Sequence, residues 1–367
     1  MTIEFIGMIH HKKQTEVHPP GPEVMDFGFI RAMAEAHEVG GFDRVLVGYY
    51  GDAPDGLLFG QLIASHTKRL SPLIAHRPGF VAPPVAARKF ATLDQITGGR
   101  AAIHVVSGGD DAEQARDGDF IDKEARYRRT DEYLGALKAI WAGKAPVDHS
   151  GDFYRFEGAT VTTRPVQQPS LPIYFGGASD AAIEIAGKHA DVYALWGETL
   201  DQTRELIDRV RAAAARHGRT IRFSISFRPV LADTEDKAWA RAERIKQRIL
   251  EIRGHGALGP AKGAPAAVGS QRLLDAAARG PRVDKRLWTE AALLTGARGN
   301  TTALVGTPDQ VADALLDYYD LGATTFLLRG FDPLDDAIDY GRDLLPRVRE
   351  LVAGREKAAA LRLAAAH

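Results

Sequence analysis

The chain has 367 residues, of which 45% are apolar, enough for a sizeable core. Lys and Arg total 47 against 48 Asp and Glu, a balance that argues against nucleic acid or an acidic membrane surface as a general partner. It contains no cysteine, which excludes thiol catalysis, disulfides and Cys-ligated zinc or iron–sulfur centres. The opening "MTIEFIGMIHHKK" lacks a basic start, a long apolar run and a small-residue cleavage site. No run reaches about 18 apolar residues, so a soluble cytoplasmic protein without a membrane span is expected.

In chain order, "IEFIGMI" (3–9) reads as a buried strand, residues 24–38 as a helix and "DRVLVG" (43–48) as the next strand. Helical patterns follow at 57–67, 84–97 and 123–142, with strands at 70–78 and 100–109 between them. The stretch from 147 to 172, rich in turn and β-branched residues, reads as a hairpin excursion. "PIYFGG" (172–177), "DVYALWG" (191–197), "TIRFSISFRPVLA" (220–232) and "TTFLLRGF" (324–331) complete eight strands. Apolar runs without strict alternation suit parallel strands covered on both faces. Eight of them, mostly followed by helices, fit a single α/β domain over 1–367, a (β/α)8 TIM barrel with insertions. The Gly/Ala/Pro-rich stretch 251–301 is read as an insertion, a mobile lid before the eighth strand. Residues 351–367 are read as a C-terminal helical arm for a neighbouring subunit. No GxGxxG follows the first strand, so a nicotinamide-binding open sheet is disfavoured.

In a barrel the reactive groups stand at the C-terminal ends of the strands. Those ends carry His10 and His11, Tyr49 and Tyr50, His76 and Arg77, Ser107 and Gly108, Gly176 to Ser179, Trp196, Arg228, and Arg329 with Phe331. The collar is rich in Arg, His and aromatics. Glu198 is the clearest acid, and no carboxylate pair or metal-ligand set is apparent. Period-two alternation from Ser226 would aim Arg228 at the pocket mouth. "PIYFGGASD" (172–180) places a Gly-Gly turn and Ser179 where a strand meets a helix, a plausible cradle for a phosphate. The same residues also suit an ordinary turn capped by Ser179 or Asp180. A pocket that binds anions and stacks on something flat suits flavin mononucleotide.

Five blocks make the chain resemble the bacterial-luciferase-like flavin monooxygenases, and most of all the two-component alkanesulfonate monooxygenases. They are "HRPGFVAPPVAARKFATLDQITGGRAAIHVVSGG" (76–109), "DKEARYRRTDEYLGALKAIW" (122–141), "QQPSLPIYFGGASDAAIEIAGKHADVYALWGET" (167–199), "HGRTIRFSI" (217–225) and "TALVGTPDQVADALLDYYDLG" (302–322). The resemblance implies reduced FMN supplied by a separate NAD(P)H-dependent flavin reductase, O2 as co-substrate, an anionic organosulfur substrate cleaved to sulfite and an aldehyde, and a homo-oligomer, dimer or tetramer. It implies cofactor contacts at Ser107, Tyr127, Gly177, Ala178 and Ser179, with Lys123 where the family motif around Tyr127 has histidine. It implies catalytic roles for His11, Arg228 and Arg298, and substrate contacts at Tyr50, Arg77, Trp196, Arg329 and Phe331. Tyr50 stands where the family has cysteine, Phe331 where it has tyrosine, and Ser226-Phe227-Arg228 where it has arginine, a spacer and histidine. These departures imply a substrate other than a simple alkanesulfonate, for example a sulfonate with a polar or sugar body. A deazaflavin-dependent oxidoreductase and a non-catalytic flavin-binding protein are the alternative readings.

Overall fold

Eight parallel strands close into a barrel. In chain order they are Glu4–Ile9, Arg44–Val47, Ser71–His76, Ala102–Val105, Ile173–Gly176, Val192–Trp196, Arg222–Phe227 and Ala323–Leu328. This is the (β/α)8 architecture expected from the alternation of apolar runs and amphipathic helices. The computed structural model describes residues 3–160, 162–254, 267–297 and 299–365. Among the described residues, no helix is long and apolar enough to cross a membrane. The chain forms two compact units, one of Arg44–Ala194 with Asp208–Ile221, the other of Met1–Asp43, Leu195–Ile207 and Arg222–His367.

In the unit built on residues 44–194, neighbouring strands pair in register, so residues abreast of one another share a face. Ile74, Ile103 and Ile173 stand abreast on one face. That face meets the helices, because a Cβ on Gly60 of helix Gly56–Ser65 would lie 2.3 Å from the Ile74 side chain. Ala75, His104 and Tyr174 stand abreast on the opposite, interior face. Helix Lys123–Ala142 begins where Asp122 accepts from the Ala125 N–H and ends at Gly143, whose φ of 57° favours glycine. The expected excursion is an antiparallel pair, Val147–Ser150 with Arg155–Ala159.

In the other unit the first barrel strand pairs with the eighth, and the eighth with the seventh. The seventh is shorter than the apolar run suggests. It stops at Phe227, and Val230–Leu231 joins a separate sheet with Ala303–Gly306, Leu287–Trp288 and Arg282–Val283. Pro229 explains the break: it offers no N–H to a ladder and restricts the residue before it. The strand Ala303–Gly306 is not among the eight read from the sequence. The stretch read as a loop, 251–301, contains helices Val268–Ala278 and Glu290–Thr295 and two of those short strands. Residues 255–266 of that stretch lie outside the described residues. Of the C-terminal stretch, residues 351–365 belong to helix Leu345–Ala365, and 366–367 lie outside the described residues.

Candidate functional site

The Gly-Gly turn after the fifth barrel strand leads directly into helix Asp180–His189. Glycine is required at both positions. A Cβ on Gly176 would lie 2.7 Å from the Ala194 carbonyl oxygen, and one on Gly177 would lie 2.8 Å from the Ala182 Cβ. Gly177 also has a φ of 136°, where side chains are strained. Its carbonyl is held by the Tyr193 hydroxyl. Ser179 is the N-cap, and its Oγ accepts from the Ala182 N–H at 3.3 Å. The same Oγ donates to the Tyr127 hydroxyl at 3.1 Å. Ser179 has thereby spent its proton, so the tyrosine's own O–H is left to donate outward. Gly177 is exposed and Ser179 and Tyr127 are half-buried, so the cradle is open to a ligand. Asp180 places a carboxylate beside it, and Arg209 neutralises that charge at 2.6 Å. The capping reading of this turn is met by Ser179, and its hydroxyl also reaches Tyr127.

Ser107, just past the fourth strand, lies 3.0 Å from the Thr130 hydroxyl. Thr130 donates to the Arg126 carbonyl at 2.8 Å, so Ser107 is the donor between the two and keeps its lone pairs for another group. Arg77 is braced internally. Its guanidinium lies 4.4 Å over the Tyr49 ring and 2.8 Å from Glu113. Glu113 also accepts from the Gly51 N–H, and Tyr49 donates to Asp117 at 3.1 Å, so Arg77 anchors the segment carrying Tyr50 to helix Asp111–Arg116. Burial first, then Asp117, pushes the Tyr49 phenol up to about 12. Tyr50 itself is 51% exposed.

A second cluster belongs to the unit built on the first, seventh and eighth strands. Arg228 is 1% exposed and lies 3.6 Å over the Phe331 ring. It donates to the Gly330 carbonyl at 3.0 Å and pairs with Glu16 at 2.8 Å. Arg329 reaches the other Glu16 oxygen at 3.4 Å and donates to the Asn300 carbonyl at 3.0 Å. Burial works to raise the Glu16 carboxyl, but Arg228 and Arg329 outweigh it and hold it down at about 2. Burial lowers Arg228 to about 10. Burial, then Arg329, pulls the neighbouring His10 down to about 3, so it is neutral at ordinary pH. The alternation that aimed Arg228 at the pocket mouth does not reach it, since the strand ends one residue earlier at Phe227. Arg228 instead turns onto Phe331, which is itself buried.

The structure thus brings Arg228, Arg329 and Phe331 together, and separately Tyr127, Gly177, Ala178 and Ser179. Trp196 packs on the cluster of Leu273, Ala292 and Ala297. Glu198 is buried and takes two bonds from Arg272, at 3.0 and 2.9 Å. His11 is half-buried, and its carbonyl accepts from the Asp26 N–H. Arg298 lies outside the described residues. Sequence reasoning missed Glu16, Glu113 and Asp117, which neutralise much of the positive collar. None stands at a strand end, and only the interleaving of "TEV" (15–17) with a basic stretch hints at Glu16.

A profile of the family described as luciferase-like monooxygenase matches residues 3–325. Among solved structures, a riboflavin lyase with modified FMN and riboflavin is 19% identical, with a TM-score of 0.77 over 95% of this chain and 92% of that one. An EDTA monooxygenase from Chelativorans sp. BNC1 is 18% identical, with a TM-score of 0.74 over 95% and 94%. DmoA from Hyphomicrobium sulfonivorans is 21% identical, with a TM-score of 0.74 over 95% and 88%. At these identities the likeness is one of fold.

Proposed function

The chain belongs to the luciferase-like monooxygenase family, and from that premise we propose that it is the oxygenating component of a two-component system. It takes reduced FMN from a separate NAD(P)H-dependent reductase and oxygenates an anionic organosulfonate. The balanced reaction converts R–CH2–SO3⁻, O2 and reduced flavin to an aldehyde, bisulfite, oxidised flavin and water. The observation that carries the flavin assignment is the cradle, in which two glycines that admit no Cβ open onto a helix start and an outward-donating tyrosine. Gly177, Ala178, Ser179 and Tyr127 would hold the phosphate, where backbone N–H groups and the helix dipole favour an anion. Ser107, which donates its proton to Thr130 and keeps its lone pairs, suits an N–H of the flavin ring. Reduced flavin supplies the electrons that activate O2. Arg329, backed by Arg228, supplies positive charge for the substrate's sulfonate.

The test is a sulfite-release screen of alkyl, polar and sugar sulfonates with a flavin reductase, NADPH and O2. Sulfite should appear only when all three are present, and the protein alone should not consume NADPH. NADPH oxidation without the reductase would overturn the two-component reading. A deazaflavin reading has its own support, because an F420-dependent secondary alcohol dehydrogenase shares the fold at a TM-score of 0.67. Titration with each cofactor separates the two.

A further inference from the structure

The cluster around Glu16 carries an inference about substrate charge. Among the described residues, Arg228 and Arg329 have Glu16 as their shared carboxylate partner, and His10 is neutral. Within this trio, two cations and one anion leave a surplus of one positive charge in a largely buried place, apart from Asp332 and Asp336 on the adjoining segment, which pair with Arg241. Donors are in surplus as well. Among the described residues, the Nε atoms of Arg228 and Arg329 are buried and have no acceptor, and Nη1 of Arg228 is paired with Glu16 by charge without an aligned hydrogen bond. Unmet buried donors of this kind are costly, and an acceptor-rich anion relieves them.

Glu16 is a fixed member of the cluster. Thr15 and His18 exchange two backbone hydrogen bonds around it, at 3.0 and 3.2 Å. Thr15 Oγ1 donates to the Phe331 carbonyl at 2.9 Å, and His18 pairs with Asp332. Val17 is buried in the core with Trp288 and Phe331. A carboxylate on a segment pinned at Thr15, Val17 and His18 cannot simply swing aside for a ligand. It remains as a resident negative charge.

We propose that Glu16 sets the charge of the substrate, so that the cluster accepts a monoanion and rejects a dianion. A monoanion balances the surplus. A dianion would leave a net negative charge against Glu16, and a neutral group would leave the surplus and the Arg329 Nε donor unmet. The ligand need not touch Arg228, because charge acts through Arg329, whose side chain is 15% exposed against 1% for Arg228. This inference rests on the anionic-substrate reading above and names the residue that tunes it.

The test is calorimetric titration of the full chain at about pH 8, where a phosphate monoester is a dianion. The probes are hexane-1-sulfonate, hexyl phosphate and neutral hexanesulfonamide. Wild type should favour the sulfonate over the phosphate by at least about tenfold. Glu16→Gln raises the surplus to two and should shift that ratio toward the phosphate by at least about tenfold. Arg329→Gln removes the surplus and should cost at least about tenfold in sulfonate affinity, and the double variant should regain the wild-type preference. If Glu16→Gln does not fold, the wild-type and Arg329→Gln titrations still decide the matter. An unchanged ratio in folded Glu16→Gln, or a wild type that prefers the phosphate, overturns the charge-setting role and leaves the anionic-substrate reading standing. No sulfonate binding by wild type overturns both.

Discussion

Tyr127→Phe isolates the proposed phosphate cradle. The substitution removes a single hydroxyl that accepts from Ser179 at 3.1 Å and has its own proton left for a ligand. Loss of the bond from Ser179 is a neutral pair at a half-buried site, worth about 1 kcal/mol to the fold. Loss of a bond to a charged phosphate costs about 1.5–3 kcal/mol, which is roughly tenfold to a hundredfold in affinity. The assay is anaerobic titration with reduced FMN and, in parallel, with reduced riboflavin, which lacks the phosphate. Reduced FMN should bind roughly tenfold to a hundredfold more weakly, while riboflavin should be unchanged within about twofold. Equal losses for both flavins would refute the reasoning, because the hydroxyl would then be supporting the ring pocket or the fold.

Three further outcomes follow from the packing. Gly177→Ala places a Cβ 2.8 Å from Ala182 at a φ of 136°, and should cost about 1–3 kcal/mol in urea unfolding. An unchanged midpoint would mean that the turn relaxes freely. Arg272→Ala leaves Glu198, 2% exposed, as an uncompensated buried charge, and should cost about 3–5 kcal/mol by the same measurement. A loss below about 1 kcal/mol would show that water replaces the guanidinium. Burial lowers His37, His76 and His104 to about 4 from 6.5, so these groups are neutral when folded and take up protons when unfolded. Between pH 6.5 and 4 the unfolded chain therefore binds more protons, and stability should fall with pH by up to about 1.4 kcal/mol per unit for each histidine. Glu16 adds a loss only lower, below its ordinary value of 4.5 toward about 2. A flat stability profile from pH 7 to 5 would contradict the buried neutral histidines.

The barrel was legible because parallel strands buried on both faces leave unmistakable apolar runs. Ser71–His76, with all six residues buried, is such a run. The tight turn into helix Asp180–His189 was legible for a related reason: two adjacent glycines between a strand and a capped helix mark a turn with no room for a Cβ. What stayed hidden was set by contacts remote in sequence. Arg329 and Glu16 are 313 residues apart, and Arg77 meets Glu113 on, and Asp117 just after, a six-residue helix that no periodicity marks. The break at Pro229 was readable in principle, but "RFSISFRPVL" (222–231) is apolar on both sides of it, and the pattern carried the strand too far.

That error bears on specificity. Counting arginines at strand ends suggests a strongly cationic collar, open to any anion. With these carboxylates in place, Arg77 is balanced by Glu113 and Asp117, and Arg228 and Arg329 are together offset in part by Glu16. The charge offered by the second cluster is then a small difference between buried ions, and one carboxylate decides its size. Desolvation makes this difference matter, since an uncompensated unit charge costs far more in a buried cluster than at a rim. The acid that decides it sits on a loop, where it can vary without disturbing the strands. The segment 10–26 is anchored through Thr15, Val17 and His18 to the residues around Phe331 and Asp332. A chain on the same barrel with a neutral residue in place of Glu16 would carry the same two arginines and select a more highly charged substrate.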